Sequence, residues 1–134
     1  MAAGHDLTQL LAEMSPVLDP EIYVFVTLPS RETPAGISPR MMMQEREGTT
    51  IVVPRGDAVA AGLDHVFASR MITLDVHSAL DAIGFLARIA ARLAGLGMGV
   101  NPVAGYYHDH LFIPEDRAEE AMAVLEEMAR EARG

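Results

Sequence analysis

The chain has no cysteine among its 134 residues, which excludes disulfides and thiolate metal sites. That absence fits a cytoplasmic protein, and cytoplasmic localisation is expected. Basic residues are few: ten Lys and Arg stand against nineteen Asp and Glu, a net charge of −9, and they never cluster. A phosphate backbone would be repelled by such a field, so nucleic acid is not an expected partner. The acidic tail "EDRAEEAMAVLEEMAREARG" reads as a solvated helix face. Apolar runs fall far short of the roughly 20 residues a membrane helix needs, so no membrane contact is expected. The opening "MAAGHDLTQLL" lacks a basic region leading into an apolar stretch, and no signal peptide is expected.

Two catalytic patterns are missing as well. "GLGMG" ends a helical segment instead of opening one after a strand, so it is not a dinucleotide fingerprint. Ser30, Thr33 and Ser38 lie in a loop with no histidine nearby in sequence, which gives a hydrolase triad little support. The chain is not expected to be an enzyme: no catalytic residue and no cofactor is assigned.

What is present is core material. Half the residues are hydrophobic, enough for one domain or two very small ones sharing a core. Asp6 and Gln9 stand at capping-box spacing ahead of an apolar stripe of Leu7, Leu10, Leu11 and Met14, with Pro16 as the stop. "EIYVFVTL" (21–28) reads as a strand, and the proline-rich 29–40 stretch as a loop. "MMMQERE" and "TTIVVP" form a hairpin turning at Glu47–Gly48, where glycine can take positive φ. A short helix around Asp57–Ala61 ends at Gly62.

The second half is more regular. "RMITLDVH" (70–77) alternates, with Ile72, Leu74 and Val76 on one face and Met71, Thr73, Asp75 and His77 on the other. Ser78 and Asp81 match a capping box, which predicts a helix starting after Ser78. That helix buries Ala82, Leu86, Ile89, Leu93 and Leu96 and leaves Asp81, Arg88 and Arg92 wet; Gly95 and Gly97 end it. "VNPVAGY" and "HLFI" are strands. A last helix after Pro114 buries Ala118, Ala121, Met122, Leu125 and Met128.

Residues 70–131 thus read β-α-β-β-α, the ferredoxin-like split βαβ pattern without its final strand. An open apolar edge is avoided by native sheets, so "EIYVFVTL" is expected to supply the missing strand. The expected class is α+β: ferredoxin-like βαββαβ units in tandem, antiparallel sheets with helices on one face, strands shared between units. The units are placed at residues 1–66 and 67–134.

The stretch "ITLDVHSALDAIGFLARIAARLAGLGMGVNPVAGYYHDHLFIPEDRAEEAMAVL" resembles an ACT domain. With "VLDPEIYVFVTL" and "EREGTTIVVPRGDA" ahead of it, nearly the whole chain is similar to a bacterial family of tandem ACT-like proteins of uncharacterised function. The resemblance implies a sensor of amino acids or related metabolites that has no catalysis of its own. It also implies paired domains, and a homodimer is expected because small units of this kind leave apolar edges or faces uncovered.

The topology brings the end of the 70–77 strand close to the tip of "GYYHDH", so His77 and His108 become neighbours, with His110 on the face of His108. Three readings stand. In the first, an effector's carboxylate meets the backbone N–H groups of Ser78 and Ala79 at a helix start. Asn101, Pro102 and Val103 add hydrogen bonds, Asp75 takes the amino group, and Tyr107, His108 and His110 close the site. The resemblance supports His77, Ser78, Asn101 and Val103 as positions. In the second, His108, His110 and His77 ligate a metal, although His-x-His alone is a weak signal and Asp109 is expected to face away. In the third, the histidines are only the polar end of a strand of a structural or interaction module.

Overall fold

The computed structural model describes residues 3–134. Two compact units result: one comprises the segment up to Pro20 together with Arg70–Gly134, the other Glu21–Ser69. The strands are hydrogen-bonded in the order β2-β3-β1-β4-β6-β5. In chain order β1 is Ser15–Leu28, β2 Met41–Gln44, β3 Thr49–Pro54, β4 Val66–Asp75, β5 Asn101–Ala104 and β6 Asp109–Pro114. β1 lies beside β4, so the expected fourth strand is supplied from within the chain, and both strands run through both units. β1 is longer than the apolar run predicts, because Ser15–Pro20 extends it.

In the unit Glu21–Ser69, the hairpin of β2 and β3 lies against β1, with Tyr23 opposite Pro54 and Leu28 opposite Thr49. Val24, Val26, Leu28, Ile51, Val53 and Ala58 form its core, Ala58 coming from the short helix α2, Arg55–Ala60. Gly48 is required for a reason other than the expected one. Its φ is not positive, but a Cβ there would lie 2.6 Å from the carbonyl oxygen of Leu28. The close approach of two backbones demands glycine.

In the other unit, helix α1 (Leu7–Glu13), helix α3 (Phe85–Ala94) and helix α4 (Ala118–Arg133) bury their apolar stripes with Ile72, Leu74, Leu111 and Ile113 of the sheet. Asp6 caps α1 as its spacing predicts, accepting from the Gln9 N–H at 2.9 Å. A single 3-10 turn, Glu115–Arg117, precedes α4. Arg92 of α3 grips Glu131 of α4 at 3.0 Å. This hydrogen bond and the accompanying charge attraction hold the Glu131 carboxyl below its ordinary range and raise the Arg92 guanidinium.

The helix after Ser78 begins later than expected. β4 stops at Asp75, α3 starts only at Phe85, and its N-cap is Gly84, left-handed at φ 90°. The capping box does not form. Ser78 turns inward to another partner, and Asp81 pairs outward with His5 at 2.8 Å. Leu96, predicted to be buried, is 44% exposed because it lies past the end of α3.

The two hairpins repeat one design. β2 and β5 have four residues each and β3 and β6 have six, with the same burial pattern along β3 and β6. In each connecting turn the first residue donates its N–H to the carbonyl of the last at 2.9 Å: Glu45 to Gly48, and Gly105 to His108. Both third strands end in proline and lead into a helical segment whose buried anchor is an alanine, Ala58 or Ala118.

Candidate functional site

The segment from Val76 to Gly84 is shaped by the start of the chain. Gly4 donates its N–H to His77 O at 2.8 Å and accepts from the Ala79 N–H at 2.8 Å, forming a parallel bridge beside Ser78. The Ser78 N–H donates to Val76 O at 3.0 Å. The two backbone donors assigned to a carboxylate are therefore satisfied inside the protein, and they do not open a helix.

Ser78 is buried and donates its hydroxyl to Asp109 Oδ2 at 2.9 Å. Asp109 faces away from its neighbours His108 and His110, as expected, and that face is the buried one: the period of β6 puts Asp109 with Leu111 and Ile113, both of the core. That alternation was a usable signal. His108 and His110 fall on the opposite parity. His110 Nδ1 lies 2.9 Å from the hydroxyl of Thr73, and His108 Nε2 lies 3.7 Å from Asp75 Oδ1. The other ring nitrogen of His108, Nδ1, is buried and has no hydrogen-bond partner.

Aromatic rings complete this end. His77 lies 5.7 Å from the Tyr107 ring and 6.5 Å from that of Tyr106, while the two tyrosines meet edge-on at 5.0 Å. Both tyrosines are largely exposed, at 71% and 65%. The turn that carries them needs glycine, since a Cβ at Gly105 would lie 2.8 Å from His108 O. Near His77 a cleft of roughly 190 Å³ is lined by Gly4, Asp6, Gln9, Leu10, Glu13 and Val76.

Asp75 is thus paired with His108 and His77 with Tyr107, while Ser78 and His110 have other partners, Asp109 and Thr73. Val103 lies directly across from His110, whereas Asn101 pairs with Phe112, further along the hairpin from the tip. Asn101 and Pro102 are exposed on the edge strand. Among the described residues no group of three or more His, Asp or Glu side chains is arranged to hold a metal ion. No helix among them is long and apolar enough to cross a membrane. Sequence reasoning missed Thr73, Asp109 and the Gly4–His5 strap. The strap carries no pattern in the sequence, because Gly4 makes backbone bonds, and His5 a side-chain pair, to a segment far along the chain.

Comparison with known families gives two matches, both described as ACT domain: residues 2–70 and residues 66–127. The chain belongs to the ACT domain family. Its ACT domains make it a ligand-binding regulatory type of protein, in tandem arrangement. A solved protein of unknown function from Vibrio cholerae, described as a possible transport protein, is 38% identical with a TM-score of 0.81. That match covers 92% of this chain and 95% of the Vibrio chain. A protein from Agrobacterium tumefaciens is 17% identical with a TM-score of 0.73, covering 87% of this chain and 89% of that one. The ligand-free regulatory subunit of aspartate kinase from Thermus thermophilus is 14% identical with a TM-score of 0.65, covering 91% and 97%. At these lower identities the likeness is one of fold. No curated protein matches the chain.

Proposed function

We propose that the protein is a non-catalytic amino-acid sensor whose effector binds at the end formed by the Val76–Gly84 segment and the Gly105–His108 turn. The observation that carries this reading is the buried, unpartnered Nδ1 of His108. A buried polar atom without a partner costs about 1–3 kcal/mol, and a ligand's polar group would recover it. Around it stand groups suited to an amino acid: the exposed Asp75 carboxylate for an ammonium, the His77 imidazole for a carboxylate, and Tyr107 for a side chain. Asn101, Pro102 and Val103 belong to this proposal as the hairpin's contribution, with Ser78, Ala79 and His110 framing the site. The aspartate-kinase regulatory subunits of like fold support a regulatory setting.

The same reading includes a homodimer, cytoplasmic localisation, and two ACT units that meet in sequence near residue 66. The test is a thermal-shift panel of the common amino acids. A ligand at about 100 times its Kd adds about 2.7 kcal/mol of stability, a rise of several degrees in Tm. His77→Ala should abolish that shift while leaving the unliganded Tm within about 2 °C of the parent, as expected for a half-buried residue. A panel without a hit refutes the amino-acid reading. A shift produced by zinc instead, and removed by His108→Ala with His110→Ala, would establish a metal site in its place.

A further inference from the structure

The unit Glu21–Ser69 carries a groove far in sequence from the residues of the amino-acid site. It holds roughly 340 Å³ and is lined by Phe25, Thr27, Thr50, Asp64, His65 and Val66, with Val26 at its base. That size lies at the low end of the roughly 300–1,000 Å³ typical of small-molecule sites. Thr27 and Thr50 face each other across β1 and β3, and Asp64–Val66 forms the opposite wall.

The backbone at this wall is strained. Phe67 has φ 59° and is the one non-glycine residue with positive φ among the described residues. For a bulky aromatic this is a genuine outlier, of the kind that concentrates at ligand clamps. The Phe67 ring is held edge-on against Phe25, centroids 5.8 Å apart at 68°. Next to it Val66 remains 67% exposed and lines the groove.

Three of the polar groups here can accept. His65 Nδ1 lies 3.0 Å from Leu63 O, and a carbonyl only accepts, so Nδ1 carries the hydrogen. In the neutral ring Nε2 is then left as an acceptor. Thr50 gives its hydroxyl hydrogen to the Glu45 carboxylate, which leaves its own lone pairs as acceptors. Asp64 is an acceptor outright. A groove with an apolar floor and a rim of acceptors, in a chain of net charge −9, is complementary to a cation with several N–H donors.

We propose that this groove is a second binding site, selective for a small primary ammonium compound with an apolar body. The body lies on Phe25 and Val66, and the ammonium donates to the adjoining Asp64 and His65 Nε2. This proposal stands whether or not the amino-acid site operates.

The test is a titration of the full chain followed by amide and side-chain NMR, using phenethylamine and its carboxylate counterpart phenylacetate. Phenethylamine should move the signals of Thr27, Thr50, His65 and Val66, and phenylacetate should leave them in place. Asp64→Asn, a change at an exposed residue, should weaken phenethylamine binding about tenfold, as expected for loss of a hydrogen bond to a charged group. Val66→Asn should weaken it several-fold by removing apolar contact. The proposal is overturned if both probes bind alike, if neither moves these signals, or if Asp64→Asn binds phenethylamine as the parent does.

Discussion

Replacing Ser78 by Ala removes one hydroxyl and tests the link between the Val76–Gly84 segment and β6. The hydroxyl donates at 2.9 Å to Asp109, and each of the two residues is 7% exposed. Ser78→Ala creates almost no cavity, so the cost is that of leaving a buried carboxylate oxygen without its donor. Hydrogen bonds to charged groups contribute about 1.5–3 kcal/mol, and an orphaned buried partner falls at the upper end. Unfolding entropy near 60 °C is about 2.1 cal/mol/K per residue, or about 0.28 kcal/mol/K over 134 residues. The expected fall in Tm is therefore about 5–11 °C. Calorimetry at neutral pH measures it directly. A double-mutant cycle isolates the pair: once Ser78 is Ala, Asp109→Ala should cost about 1–2 kcal/mol less than it does in the parent. A Tm drop under about 2 °C, which is about 0.5 kcal/mol, or strict additivity in the cycle, refutes the reasoning.

Three further outcomes follow from glycine geometry and from the helix-to-helix ion pair. Gly48→Ala should destabilise by about 1–3 kcal/mol because its Cβ meets the Leu28 carbonyl at 2.6 Å. Gly56→Ala in α2, with nothing within 4 Å, should stabilise by about 0.4–1 kcal/mol, and urea denaturation of the pair reads both signs. Glu131, hydrogen-bonded to Arg92, has its folded pKa lowered from 4.5, so its contribution is present above that value and is lost as pH falls through the lowered one. Tm curves of the parent and Glu131→Gln should thus differ at neutral pH and converge on acidification; a gap that persists at low pH contradicts this.

Much of the architecture was legible because periodicity reports burial. The alternation of Ile72 and Leu74, the stripe Ala118–Ala121–Leu125–Met128 and the apolar density of "EIYVFVTL" each placed an element correctly. The need for a fourth strand followed from the cost of an open edge and was met by β1. The start of α3 was not legible. Ser78 and Asp81 satisfy a local rule, yet the Ser78 hydroxyl is taken by Asp109 and the loop backbone by Gly4, both distant in sequence. Local capping lost to tertiary hydrogen bonds, and the carboxylate donors expected at Ser78 and Ala79 went with it. That His77 meets Tyr106 and Tyr107, and His108 meets Asp75, follows from strand order, which fixes which ends adjoin. Which nitrogen of His108 lacks a partner depends on side-chain geometry that no spacing encodes.

The repeated hairpin has a consequence for how this chain can acquire new chemistry. Strand lengths, terminal prolines and buried alanines hold both copies to one frame, and each turn is closed by the same backbone bond. Beyond that bond, each turn requires one glycine, Gly48 in one copy and Gly105 in the other, and the remaining side chains differ between the copies. One copy carries charge there, "EREG", and the other rings, "GYYH". Each tip behaves as an exchangeable cassette on a standard socket, so contacts made at the tips can diversify without renegotiating how the strands pair.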